Sequence, residues 1–172
     1  AGRVERHAAI TPILELGVGC NPELDALDNI ELIGTVMGMT LGDARASADA
    51  ILEFAGLREF ARQQLKYYSS GMAARLAYAI AFHAVREVLI LDEIFAVGDA
   101  EFRARCYDRY RKLHAEGHTI LLVSHSARDI ARYCDRALLL EEGRVAEEGA
   151  GPDIARGYAE LLGQGDEIDN LL

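Results

Sequence analysis

The stretch Val88-Leu89-Ile90-Leu91-Asp92-Glu93 constrains this chain more than any other. Four apolar residues run without a polar break into two adjacent carboxylates. A short uninterrupted apolar run reads as a strand covered on both faces, as in a parallel sheet. Two acids at the end of such a strand lie at its carboxyl edge, where open α/β sheets bind their ligands. The same pair also reads as a purely structural strand end that caps a loop, and the motif alone does not choose between the two.

The surrounding pattern is a helical block, Asp25 to about His83, followed by an α/β block. Asn21-Pro22 is a turn signal, after which Leu24, Leu27, Ile30, Leu32, Ile33 and Met37 recur near helical spacing. Thr40-x-x-Asp43 resembles a capping box with Asp in place of Glu, and predicts a helix from about Ala44 to Ala55 ending near Gly56. Residues 57–68 read as a polar connection. Ser69-Ser70-Gly71 opens an Ala-rich helix, and Asp99 caps another whose core face carries Phe102, Cys106, Tyr110 and Leu113. Thr119 to Val123 reads as a second buried strand ending in Ser124-His125. Glu142-Gly143 reads as the turn of a hairpin, and Pro152 to Leu162 as a last helix.

Three elements carry chemistry. Asp92 at the end of its strand has the place of a magnesium-holding carboxylate, acting through water, with Glu93 beside it to polarise an attacking water. His125 ends the second strand and is aimed at the same edge. An isolated strand-end His is more often satisfied by a nearby carbonyl. The Tyr68-Ser69-Ser70-Gly71-Met72 turn presents N–H groups and hydroxyls at a helix start, which suits an anion. An ordinary Ser cap is the commoner reading of such a turn.

The order of these elements changes the odds. The sequence resembles the ATPase subunit of an ATP-binding cassette (ABC) transporter from Gly2 to about Tyr158. Tyr68 to Met72 is similar to the family's signature loop, Val88 to Glu93 to its Walker B strand, Ala96 to Asp99 to its D-loop, and His125 to its switch histidine. Ser-Ser-Gly-Met in the signature, Leu14 to Leu24 with Asp28-Asn29-Ile30, and Asp92 to Phe102 resemble the exporters of O-antigen, capsule and teichoic acid. Glu15 lies at or near the position of the family's Q-loop Gln, and a plain strand-end Glu is the competing reading.

The resemblance implies an α/β P-loop NTPase (RecA-like) fold: a parallel sheet with an inserted helical subdomain. The expected division is residues 1–24 as part of the catalytic core, 25–85 as the helical signature subdomain, 86–150 as core, and 151–172 as a C-terminal helix and tail. It implies ATP and Mg2+ as cofactors. Glu93 and His125 would be catalytic, Asp92 would hold the metal through water, and Ser69, Ser70, Gly71, Met72, Asp99 and Glu15 would contact the nucleotide or its metal. The implied partners are a second ATPase subunit, head to tail, and a transmembrane permease. The implied place is the cytoplasmic face of a bacterial inner membrane.

The phosphate-binding pattern G-x-x-x-x-G-K-[ST] is absent from the 172 residues, and neither lysine, Lys66 or Lys112, follows a Gly. The expectation is that the pattern precedes residue 1, that the chain is a fragment, and that the strand ending in Asp92-Glu93 is left exposed where the phosphate-binding strand should pair. The competing reading is a truncated paralogue that binds and regulates without hydrolysing. A DNA-repair or chromosome-maintenance cassette is disfavoured by the net charge of −10 and the lack of heptads. No apolar run reaches membrane-spanning length, so a membrane role would be peripheral. Three widely spaced cysteines favour reduced thiols over disulfides or a zinc cluster.

Overall fold

The computed structural model describes residues 3, 5, 7–13, 20–92 and 98–163. The chain divides into two compact units, Ala1–Leu121 and Leu122–Leu172.

The first unit is organised by a parallel strand pair. β1 (Ile10–Ile13) runs beside β2 (Val88–Asp92), with Ile10 opposite Val88 and Ile13 opposite Leu91. Leu89 and Leu91 are fully buried, each worth about 1.5–3 kcal/mol over an exposed side chain. Thr11, also fully buried, donates its hydroxyl to Ala84 O at 3.1 Å and accepts from Arg86 N–H at 3.2 Å. One side chain thus satisfies backbone groups at the approach to β2 and fixes where that strand begins.

Between the two strands lies the helical block. α1 (Ala26–Val36) is capped by Asp25, whose carboxylate accepts from Asp28 N–H. Asn29 is completely buried at the first turn of α1. Its Oδ1 accepts from Asn21 N–H at 2.7 Å, and its amide donates to Asn21 O, Leu24 O and Asp25 O. The turn before α1 is therefore held by a buried amide, which offsets the cost of burying so much polar surface.

α2 (Leu41–Ala55) starts directly after Thr40, whose hydroxyl accepts from Asp43 N–H and donates to Asp43 Oδ2. Thr40 caps the helix as expected, with the Asp43 carboxylate bonded to its hydroxyl, but the helix opens at Leu41 and not near Ala44, because the cap residue sits immediately before its helix. Gly56 ends it in the left-handed conformation at φ 67°. The connection that follows is less polar than expected. Its two short 3-10 turns, Arg58–Phe60 and Leu65–Tyr67, place Leu57 and Leu65 in the core with Ile30, Ile51, Leu76 and Ile80. α3 (Ser70–His83) packs its Ala-rich face into that cluster.

α4 (Ala100–Ala115) buries Phe102, Cys106, Tyr110 and Leu113, the four residues of its expected core face. Burial pushes the Cys106 thiol up to about 12, and all three cysteines are free. β3 (Thr119–Val123) begins in the first unit and passes into the second.

In the second unit, β4 (Arg136–Glu141) and β5 (Arg144–Ala150) form the expected hairpin about Glu142 and Gly143, both at positive φ, as a two-residue turn of matching twist requires. α5 (Ala127–Tyr133) and α6 (Gly151–Leu161) pack through Ala127, Ala155 and Ala159.

Two expectations about the sheet are corrected. The strand order is β1-β2-β3, so β2 is paired on both sides and is the central strand of the three. The strands with an open side, among the described residues, are the outer two, β1 and β3. Nor is β3 buried: Leu121 and Val123 are 53% and 49% exposed. Its apolar sequence predicts full burial, but burial depends on what covers a strand as well as on its own residues.

An open, apolar strand edge templates pairing with other chains. Light scattering of the 172-residue chain is therefore expected to show association. Leu121→Lys and Val123→Lys, which charge an exposed edge without touching the core, are expected to reduce it. A monodisperse monomer of the unsubstituted chain would contradict this.

Candidate functional site

The start of α3 is built by the turn before it. Tyr68 is extended, and its hydroxyl donates to Phe60 O at 2.8 Å while its ring meets Phe60 edge-on at 6.4 Å. This fixes the direction in which the chain enters the helix. Ser69 is the N-cap, and its Oγ accepts from Met72 N–H at 3.2 Å. The structural reading of Ser69 as a cap therefore holds, yet its hydroxyl proton remains able to donate. Ser69 and Ser70 are exposed, while Gly71 and Met72 are half-buried. The first turn of α3 carries no acidic residue. Two hydroxyls, backbone N–H groups and the positive end of a helix dipole thus converge on one exposed spot, a combination suited to phosphate oxygens.

Asp92 ends β2, and its side chain is exposed at the strand's carboxyl end. Tyr78 lies buried on α3 with its hydroxyl pushed up to about 12, first by burial, then by the fields of Cys106 and Asp92. Glu93 and Glu15 lie outside the described residues, as do Ala96 and Val97.

The chain re-enters α4 through Gly98 and Asp99. Gly98 has φ +81°, and a Cβ there would meet Phe102 Cδ1 at 2.8 Å, so the position is fitted to glycine. Its carbonyl accepts from Arg103 Nη1 at 3.0 Å. Asp99 caps α4 by accepting from Phe102 N–H at 2.8 Å. That hydrogen bond, with Arg75 and Arg105 nearby, holds its carboxyl below the usual carboxylate range. A group depressed in the folded state stabilises above its unfolded pKa, and that contribution is lost as pH falls through the folded value. The cap at Asp99 is thus intact at neutral pH and fails only in acid.

His125 lies in the second unit, exposed, directly after β3. Ser124 Oγ accepts from Ser126 N–H at 3.0 Å, and Ser126 caps α5, so His125 sits in a tightly bonded turn.

Within the first unit, Asp99 faces a residue of α3 that the sequence reading passed over. Arg75 of α3, 23% exposed, places Nη1 3.9 Å from Asp99 Oδ2 and donates Nε–H to Ala55 O at 3.1 Å. The one available signal was a lone arginine on an otherwise narrow, apolar, Ala-rich helix.

Among the described residues no group of three His, Cys, Asp or Glu side chains is placed to hold a metal ion. Magnesium, which keeps several waters and takes phosphate oxygens, does not require such a cage. A single carboxylate such as Asp92 fits that style of binding. No helix among the described residues is long and apolar enough to cross a membrane.

No protein-family model matches the chain. Curated relatives do. The chain is 41% identical over 167 residues to the ABC transporter protein AbcA of Aeromonas salmonicida, covering 96% of this chain and 54% of that protein. It is 37% identical over 161 residues to the O-antigen export system ATP-binding protein RfbB of Klebsiella pneumoniae, covering 94% and 65%. With the teichoic acids export ATP-binding protein TagH of Bacillus anthracis it shares 36% identity over 150 residues, or 87% and 27%. The chain thus spans between about a quarter and two thirds of these relatives' lengths.

Among solved structures, the ATP-binding subunit of an ABC transporter superposes with a TM-score of 0.75 at 24% identity, covering 93% of this chain and 66% of that one. An ATP-binding cassette solved as a dimer in a post-hydrolysis state, with ADP and phosphate bound, gives a TM-score of 0.67 at 25% identity, covering 82% and 62%. The chain has the α/β fold of an ABC ATPase domain, and over the stretch it shares with them it is a homologue of the ATP-binding proteins of ABC transporters.

Proposed function

We propose that this chain is part of an ATP-hydrolysing, energy-coupling subunit of a transporter that exports a cell-surface polysaccharide. The observation that carries the reading is the exposed Ser69–Ser70 start of α3, free of acidic residues in its first turn, in a chain homologous to ATP-binding proteins of O-antigen and teichoic acid exporters. The permease with which it would work lies in the membrane, and this subunit is peripheral to it on the cytoplasmic side of a bacterial inner membrane. The helical block between β1 and β2 would meet that permease.

The residues divide the work as follows. Ser69, Ser70 and the N–H of Gly71 bind γ-phosphate oxygens of ATP held by a second subunit in a head-to-tail dimer, with Met72, whose N–H is held by Ser69 Oγ, completing the turn. Asp92 would hold Mg2+ through water and Glu15 would contact the same ion; the ion would supply positive charge against the phosphates. Glu93 accepts a proton from the water whose oxygen bonds to the γ-phosphorus as the bond to the β–γ bridging oxygen breaks. His125 donates to a γ-phosphate oxygen, and Asp99 helps to shape the facing surface.

Two measurements test the proposal. Calorimetry on the 172-residue chain alone is expected to detect no tight MgATP binding, because its sequence carries no G-x-x-x-x-G-K-[ST] pattern to hold the β- and γ-phosphates. Micromolar binding would overturn this. In a full-length protein that carries this stretch, Glu93→Gln is expected to lower ATP hydrolysis by about 10²–10⁴-fold, the usual contribution of a general base. Undiminished hydrolysis would remove Glu93 from that role.

A further inference from the structure

We propose that Arg75 is a positioning residue that ties the Ser69–Met72 turn to Asp99, so that the two sides of the nucleotide-facing surface keep one arrangement. The proposal rests on the functional reading above for its link to turnover, though the tie itself does not.

Arg75 follows Gly71 by four residues and Met72 by three, so it lies one turn further along the same face of α3. Side chains on a helix lean back towards its N-terminus, here towards that turn. The guanidinium then meets two other elements at once. Nε–H donates to Ala55 O, at the end of α2, at 3.1 Å, and Nη1 lies 3.9 Å from Asp99 Oδ2, at the start of α4. Asp99 has its other oxygen engaged by Phe102 N–H at 2.8 Å, so both of its oxygens have assigned neighbours. α2 is not dependent on Arg75 alone. Arg105 Nη1, from α4, donates to Glu53 O at 3.3 Å and Phe54 O at 3.0 Å. Two arginines, one from the α3 side and one from the α4 side, therefore clamp the negative end of the α2 dipole.

A plain capping role for Arg75 would use the Ala55 contact and leave Asp99 indifferent. The planar fork of arginine allows both contacts at the same time. A lysine, with one point charge on a flexible stem, serves one of them at a time.

The tie is tested by amide hydrogen exchange on the 172-residue chain. Asp99→Asn keeps the helix cap, since Asn caps as well as Asp, and removes only the charge. It is expected to speed exchange at Met72 and Ala73 by about two- to fivefold, the change that an exposed ion pair supports. Arg75→Gln is expected to speed exchange at Met72 and Ala73 and also at Phe102 and Arg103, and the double variant to do no more than the larger single one. Wild-type rates at Met72 and Ala73 in Asp99→Asn, or additive effects in the double variant, would overturn the tie. Should Arg75→Gln not fold, Arg75→Lys and Asp99→Asn carry the same comparison.

In a longer protein that carries this stretch and hydrolyses ATP, both single variants are expected to lower kcat with KM for ATP little changed, again without additivity, and Arg75→Lys to restore kcat only in part. Unchanged kcat alongside a measurable exchange effect would refute the role in turnover. A wild-type protein that does not hydrolyse ATP would refute the functional reading instead, while the exchange result still decides the tie.

Discussion

The parallel pairing of β1 with β2 is the constraint on which the rest of the first unit depends. It joins residues 78 positions apart, Ile10 with Val88, and so pays a large loop-closure entropy before any contact repays it. The helical block inside that loop supplies the return through its own core of Ile30, Ile33, Ile51, Leu52, Leu76 and Ile80. Thr11 joins the two, since its buried hydroxyl satisfies Ala84 O and Arg86 N–H at the junction between α3 and β2. With the start of β2 fixed, Asp92 is carried to the strand's carboxyl end, where a ligand can reach it.

The same geometry explains why α3 is a useful helix. Its C-terminal half is anchored to the sheet through Ala84, while its N-terminal turn stands exposed, held in direction by the Tyr68 hydroxyl on Phe60 O. A rigid helix with one solvated, acid-free end is a fixed donor array, which need not be ordered when an anion arrives. That is the physical content of a signature-like turn, and it does not depend on which glycan a transporter moves.

Much of this was legible in the sequence. Periodicity gave the buried face of α4 residue by residue, Phe102, Cys106, Tyr110 and Leu113. Local hydrogen-bonding chemistry gave the caps at Thr40, Ser69 and Asp99 and the turn at Glu142-Gly143. What escaped depends on distant neighbours. β3 is as apolar as β2, yet β2 is central and β3 stands at the edge, because strand order is not written in either segment. Leu57 and Leu65 sit in a stretch that looked polar, and only the packing of α1 to α3 brings them inside. The hydroxyl of Tyr68 and the guanidinium of Arg75 find partners 8 and 20 or more residues away, beyond the reach of any local pattern. Asp92 and the Ser69–Met72 turn stand where the motif reading put them in their own elements, whereas Glu93 and Glu15 fall outside the described residues.

The central claim is that the start of α3 serves a nucleotide held by another copy of the protein. Sedimentation of a full-length Glu93→Gln protein, which should hold ATP without consuming it, tests this most directly. The account predicts a dimer in MgATP, a monomer in ADP, and a monomer in MgATP when Ser70→Arg fills the turn with a bulky side chain. A protein that remains monomeric in MgATP, or a Ser70→Arg variant that dimerises as readily as its parent, would contradict it.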